Sequence, residues 1–267
     1  MIVLKNVSKN YGDGRVLENV SLEIGPGEFV CVTGQSGAGK TTLLSLLMGA
    51  EDVTNGSVMV DGVDLRTVPA GALQIFRRRV GIVFQDYKLL QNRTVAENIA
   101  FPLEVCGASD LTIDMRVTEL LKTMELVERM NALPRELSGG EKARTAIARA
   151  IAHKPLILLA DEPTQNLDPD QARDVLQIFR DINKSGTTVI FATHDAALVD
   201  ALNTRVIELK NGKIIRDSVG GYRDRETKPK VVEERIDPET EREKAVNDAV
   251  ERVTGRRKVR VTAIHSD

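Results

Sequence analysis

The chain has 267 residues, 42% apolar and 28% charged, enough for one large α/β domain with length left over. Its 37 basic and 39 acidic residues leave a net charge of −2, and with no Trp and 3% aromatic content it lacks both the basic field and the stacking platforms of a nucleic-acid binder. Cys31 and Cys106 are the only cysteines and form no CxxC pair, which removes disulfide and zinc readings. The first residues carry no long apolar leader, and no apolar run is long enough to span a bilayer. The expectation is a soluble cytoplasmic chain whose membrane role, if any, comes through a partner.

In chain order, residues 2–7 and 16–24 read as strands around the turn Tyr11-Gly12-Asp13-Gly14. Glu28 to Thr33 reads as a buried strand. It runs into Gly34-Gln35-Ser36-Gly37-Ala38-Gly39-Lys40-Thr41, which fits Gly, four residues, then Gly-Lys-Ser/Thr, the phosphate-loop pattern. Glycine there lets successive backbone N–H groups face one anion. Lys40 would reach the β- and γ-phosphates, and the Thr41 hydroxyl would ligate Mg²⁺. A helix from Thr42 to Met48 follows, and its N-terminus adds partial positive charge. The cradle expected for ATP therefore runs from Gly34 through Thr42.

Gly56 to Gly62 reads as a strand ending in an Asp-Gly turn, and Val80 to Phe84 as another buried strand. Arg77-Arg78-Arg79 before it is either a solvated helix end or a contact for an acidic partner. Residues 94–130 read as mostly helical, with Pro102 and Gly107 breaking the run and Val117, Leu120, Leu121, Met124 and Val127 at helical spacing. Ser138 is an N-cap residue, and the helix it opens carries Ala143, Ile147, Ala150 and Ile151 on one face. Its N–H groups, with the Ser138 hydroxyl and the Gly139-Gly140 backbone, make a second anion site.

Leu156 to Asp161 is a nearly continuous apolar strand, as in a sheet covered on both faces. Its last residue, Asp161, would hold Mg²⁺, and Glu162 is placed to polarise a water. Asp170 to Lys184 reads as a helix, Thr187 to Thr193 as a strand, and Asn211-Gly212 as a hairpin turn. From about Tyr222 charges of both signs crowd together, marking a tail. Within it Asp237-Pro238-Glu239 has the form of a helix start, Val246, Ala249, Val250 and Val253 give one narrow stripe, and Lys258 to Ile264 alternates. That tail is either a solvated extension or an element that docks on a partner, with its basic run aiding membrane association.

Phosphate loop, then Ser-Gly-Gly, then Asp-Glu is an order that resembles the ATP-binding-cassette ATPases. The family's other marks follow: Tyr11 as the aromatic that stacks on adenine, Gln85 after its strand, Leu167-Asp168, and His194 as the switch histidine. The resemblance implies an α/β phosphate-loop fold with a mixed, mainly parallel core sheet, an antiparallel N-terminal β subdomain and a helical insertion at about 94–150. The ATPase domain would span 1–220, and the tail 221–267. It implies a homodimer sandwiching two ATP molecules, each held by Lys40, Thr41 and Asp161 of one chain and capped by Ser138, Gly139 and Gly140 of the other, with Asp168 at the junction. Glu162 would be the general base, His194 and Gln85 would position water and γ-phosphate, and Gln85 would also reach Mg²⁺.

Arg78 to Leu90 with Arg93-Thr94-Val95 and Glu97-Asn98 resembles more narrowly the FtsE group of cell-division ATPases. That implies an integral membrane partner, FtsX-like, and control of cell-wall hydrolases. The alternative is the ATPase subunit of a transporter, of the lipoprotein-release or macrolide-export type. Two positions depart from the family: Lys142-Ala143 stand where Gln-Gln is usual, and Gln165 stands where Gly precedes Asn-Leu-Asp.

Overall fold

The structure, a computed structural model, describes residues 1–221. Among these are ten strands, β1 to β10, and seven α-helices, α1 to α7, in two sheets. The first sheet is antiparallel: β1 (Ile2–Tyr11) lies between β2 (Gly14–Ile24) and β4 (Asn55–Val60), and β4 also pairs with β5 (Val63–Asp64). β1 and β2 both extend past the lengths read from the sequence, because they pair with each other up to the Tyr11–Gly14 turn.

The second sheet has the order β10-β9-β3-β8-β7-β6. β3 (Phe29–Thr33) pairs in parallel with β8 (Thr188–Thr193) and with β9 (Arg205–Lys210). β7 (Ile157–Asp161) joins β8 to β6 (Val80–Val83), again in parallel. β10 (Lys213–Val219) closes the edge as an antiparallel hairpin with β9. Asn211 and Gly212 in that turn have φ of 50° and 76°, which suits Asn-Gly.

The sheet is buried on both faces, and its strands sort alternate residues between two cores. Phe29 and Cys31 enter the core shared with the helices α3 to α7, whereas Val30 and Val32 enter the core shared with α1 and the antiparallel sheet. In the former, Phe179 of α6 (Pro169–Lys184) meets Phe191 edge-on at 5.1 Å between centroids. Burial pushes the Cys31 thiol up to about 12, so this cysteine is an inert core residue.

The region read as a helical insertion contains α3 (Val95–Val105), α4 (Asp110–Thr123) and α5 (Gly139–Ile151). Thr94 and Glu97 cap α3 reciprocally. Pro102 does not break α3 as its presence suggested. The helix loses one N–H donor there, but Ile99 and Leu103 on either side are buried in the core and hold the backbone helical. The stop is Gly107, at φ 74°. Val127 is 45% exposed, in a 3-10 turn outside the stripe that Val117 to Met124 forms.

Helix α2 (Ala70–Arg77), strand β5 and helix α7 (Ala196–Leu202) were not legible in the sequence. Arg77 is a helix end whose guanidinium donates to the Gly49 carbonyl at 2.7 Å, and Arg79 pairs with Asp61 at 2.7 Å. The helix expected from about 238 to 254 and the strand at 258–264 lie outside the described residues. No described helix is long and apolar enough to cross a membrane.

Candidate functional site

Parallel pairing places four strand ends in one row. Thr33 of β3 faces Thr193 of β8, Asp161 of β7 faces Ala192, and Val83 of β6 faces Ala160. The loops leaving these carboxyl ends carry Gly34–Lys40, His194, Glu162 and Gln85, so residues far apart in sequence converge. Crevices outside the carboxyl ends of strands are where open α/β sheets take ligands.

β3 turns into α1 (Lys40–Leu47) through the glycine loop. Gly34 has φ 149°, and a Cβ there would lie 2.3 Å from the Leu209 carbonyl oxygen; at Gly39, φ 105°, it would lie 2.7 Å from a Leu17 methyl. Any other residue would force the loop outward. Gly39 caps α1 without a side chain, and the first turn holds no acid, so its N–H groups meet no side-chain acceptor. Lys40 is buried; its Nζ donates to the Gly34 carbonyl at 2.8 Å and lies 3.3 Å from Glu162 Oε1. Cation, helix terminus and loop together form a receptor for phosphate.

Glu162 sits at φ 47°, a rare conformation for a side chain of its size, fixed by its N–H donating to the Ala192 carbonyl at 2.9 Å. Its carboxylate lies 2.9 Å from His194 Nδ1 and accepts from the His194 backbone N–H at 3.2 Å. His194 itself is half-exposed. Asp161 is buried beneath, hydrogen-bonded by the Thr41 side chain. Burial pushes its carboxyl above the usual range; the Thr41 bond and Lys40 oppose this, and the Glu162 charge adds to it.

Asp161 Oδ1 has no hydrogen-bond partner although buried. A buried carboxylate oxygen without a donor, beside a hydroxyl and a phosphate receptor, is the donor set of a Mg²⁺ that shares its coordination with phosphate and water. Thr41 and Asp161 therefore fit the ion. Among the described residues no cluster of three or more His, Cys, Asp or Glu side chains forms a metal cage.

A cavity of about 400 Å³ opens over this cluster, lined by Val16, Ser36, Gly37, Gly39, Lys40, Thr41, Thr42, Gln85, Glu162, Gln165 and His194. Val16 and Gln165 were not singled out as site residues. Gln165 departs from the family pattern, and the Gln85 amide donates to its side-chain carbonyl. A larger cleft of about 680 Å³ between α4 and the end of α6 holds none of the expected site residues.

Tyr11, Ser138, Gly139, Gly140 and Asp168 do not line the 400 Å³ cavity. Tyr11 ends β1, is 47% exposed, and has Lys9 Nζ 4.8 Å from its ring centroid. Ser138 caps α5: its hydroxyl accepts from the Glu141 N–H at 3.3 Å, and its own N–H donates to the Glu141 carboxylate at 2.8 Å. Asp168 caps α6, accepting from Asp170 and Gln171 N–H groups at 3.0 and 2.9 Å. Gly139 packs against Asn166 and Leu167, so the Ser138 corner and the 165–168 loop are neighbours on the surface.

A separate groove of about 420 Å³ runs between α2, β6, α3 and α5. Phe84, Leu90, Phe101, Pro102 and Val105 give it apolar walls; Arg77, Arg78, Lys88 and Arg149 give it positive charge, and no carboxylate lines it. Lys88 Nζ sits 4.5 Å from the Phe84 ring centroid.

A glycine loop between a central parallel strand and a helix, with a buried lysine and acids at the end of β7, one strand removed across β8, defines a phosphate-loop nucleotide-binding protein. The family model described as "ABC transporter" matches residues 17–165, and one described as "AAA domain, putative AbiEii toxin, Type IV TA system" matches 131–200. The cell division ATP-binding protein FtsE of Mycobacterium tuberculosis is 45% identical over 223 residues, covering 83% of this chain and 97% of that protein. The methionine import ATP-binding protein MetN of Clostridioides difficile is 42% identical over 216 residues, 80% of this chain but 67% of that protein. Among solved structures, the dimeric post-hydrolysis state of the ATP-binding cassette MJ0796 bound to ADP and Pi superposes with a TM-score of 0.76 at 37% identity, covering 82% of this chain and 98% of that one. The chain belongs to the ATP-binding-cassette family and is an ATPase.

Proposed function

We propose that two copies of the chain close around two ATP molecules and hydrolyse them, and that this cycle drives an FtsX-like membrane partner that controls cell-wall hydrolysis in division. The observation that carries the catalytic part is the buried Lys40–Glu162–His194 cluster at the mouth of the glycine loop. In the nucleotide-free site Lys40 neutralises Glu162. An arriving γ-phosphate competes for Lys40 and for the N–H groups of α1, which releases the Glu162 carboxylate toward the space beside His194. Glu162 then takes a proton from a water whose oxygen attacks the γ-phosphorus. The bond to the bridging oxygen breaks, and ADP leaves with that oxygen's electron pair. Thr41, Asp161 and Gln85 would hold a Mg²⁺ ion, which would supply charge neutralisation for the phosphate oxygens.

Ser138, Gly139 and Gly140 are outside the cavity of their own chain, which is why they serve a second copy in this reading. The neighbouring Asp168 and Gln165 lie where the two copies meet, and Tyr11 reaches the adenine from the rim. The 420 Å³ groove suits a short acidic, apolar segment of the membrane partner, since its cations face no carboxylate across it. The cell-division reading is favoured over a MetN-like import subunit because the alignment runs through 97% of the FtsE relative but 67% of the MetN relative.

The test is capture: the full chain carrying Glu162→Gln, with ATP, should co-purify a membrane protein, and the gene of that protein should be needed for normal division. Recovery of a solute permease instead would replace this reading with the transporter one.

A further inference from the structure

We propose that Gln165 is a positioning residue: its side-chain carbonyl tethers the Gln85 amide at the rim of the cavity and fixes which end of that amide faces the nucleotide. The inference rests on the site assignment proposed above. Gln85 follows β6 and Gln165 lies in the loop after β7, strands that run side by side with Val83 opposite Ala160. Gln85 Nε2 donates to Gln165 Oε1, and both side chains line the cavity. A glutamine amide has a donor end and an acceptor end. With the donor end engaged, Gln85 Oε1 is the end left to face a cation or a polarised water.

Gln165 is itself anchored, because its N–H donates to the Glu162 carbonyl at 3.2 Å, one turn beyond the acid. The same two loops are joined lower down by the Tyr87 hydroxyl, which donates to the Pro163 carbonyl at 3.2 Å. Arg149 of α5 holds the Gln85 side of this junction, donating to the Tyr87 and Lys88 carbonyls at 2.7 and 2.8 Å. The base of the junction thus donates onto backbone carbonyls, which any residue supplies. The rim joins through two side chains, and a residue without a side-chain acceptor at 165 would leave the Gln85 amide free to rotate. Glycine, usual here in the family, is such a residue.

Gln165 is exposed, so substitutions there leave the core untouched. In the nucleotide-free full chain, the Gln85 side-chain amide resonance, assigned by its disappearance in Gln85→Ala, should shift in Gln165→Met and Gln165→Gly. It should stay near its parent position in Gln165→Glu, which keeps an acceptor. The Mg²⁺ concentration for half-maximal hydrolysis should rise about five-fold in Gln165→Met, the equivalent of one neutral hydrogen bond, with ATP affinity in the absence of Mg²⁺ unchanged. Gln85→Ala should show a similar rise, and the double variant no more than either. An unmoved Gln85 resonance in Gln165→Met, or independent addition of the two effects, overturns the tether. A resonance that moves while Gln85→Ala leaves the Mg²⁺ requirement untouched supports the tether and removes Gln85 from the site instead.

Discussion

Two helix N-termini, α1 and α5, belong to the expected nucleotide, and they are built in opposite ways. α1 opens behind Gly39 with no side-chain cap and no acid in its first turn, beside a buried lysine. α5 opens at the exposed Ser138 and is closed by its own chain, through the reciprocal bonds between Ser138 and Glu141. The Ser138 N–H is the main reason the Glu141 carboxyl is held below its usual range, with Arg129 at 2.8 Å adding to it. The first terminus has donors and a cation that gain most from a phosphate. At the second, Ser138 and Glu141 already engage each other, so α5 folds whether or not a ligand arrives. Binding should therefore belong to one chain, and closure to two.

The largest effect should come from the open terminus. Lys40→Ala should abolish hydrolysis and weaken ATP binding by at least about tenfold, because a charge-assisted contact to phosphate is lost. Calorimetric titration checks it, and an unchanged affinity would erase the distinction between the two termini. Glu162→Gln should bind ATP as well as the parent while turnover falls about a thousandfold, the size expected for removing a general base. Residual hydrolysis within a few-fold of the parent would take Glu162 out of that role.

Ser138→Arg sharpens the comparison from the other side. It should leave ATP binding by the single chain unaltered and stop turnover of the homodimer, since a bulky cation then sits where the partner's γ-phosphate must fit. A mixed dimer of Ser138→Arg with Glu162→Gln gathers both defects in one composite site and leaves its twin intact. Turnover well above that of either mutant homodimer is the expected result, measured with differently tagged chains.

The smallest effect concerns stability. Asp161 has a folded-state pKa above its unfolded value, so the stability it contributes is fully present below the unfolded pKa and is lost as pH rises through the folded one. Where it is ionised, the buried carboxylate with an unpartnered oxygen is a net cost to the nucleotide-free chain. Asp161→Asn should raise its melting temperature by a few degrees at pH 7, less at pH 4, while abolishing Mg²⁺-dependent turnover. A melting temperature that falls equally at both pH values would mean the carboxylate is structural.

By itself the sequence determined every element with a strong local cause. The glycine loop is forced by backbone conformations at Gly34 and Gly39, the β9–β10 turn by Asn211-Gly212, and the cap of α5 by Ser138. Buried strands such as β7 were legible because a sheet covered on both faces needs continuous apolar runs. Tertiary structure alone decided the rest. Pro102 stays helical because Ile99 and Leu103 are buried on either side of it, a fact that no local propensity carries. The short α2 has no side-chain cap and exists through packing. Above all, the meeting of Gln85 with Gln165 and of Lys40 with Glu162 follows from parallel strand order, which joins residues by register across the sheet rather than by spacing along the chain.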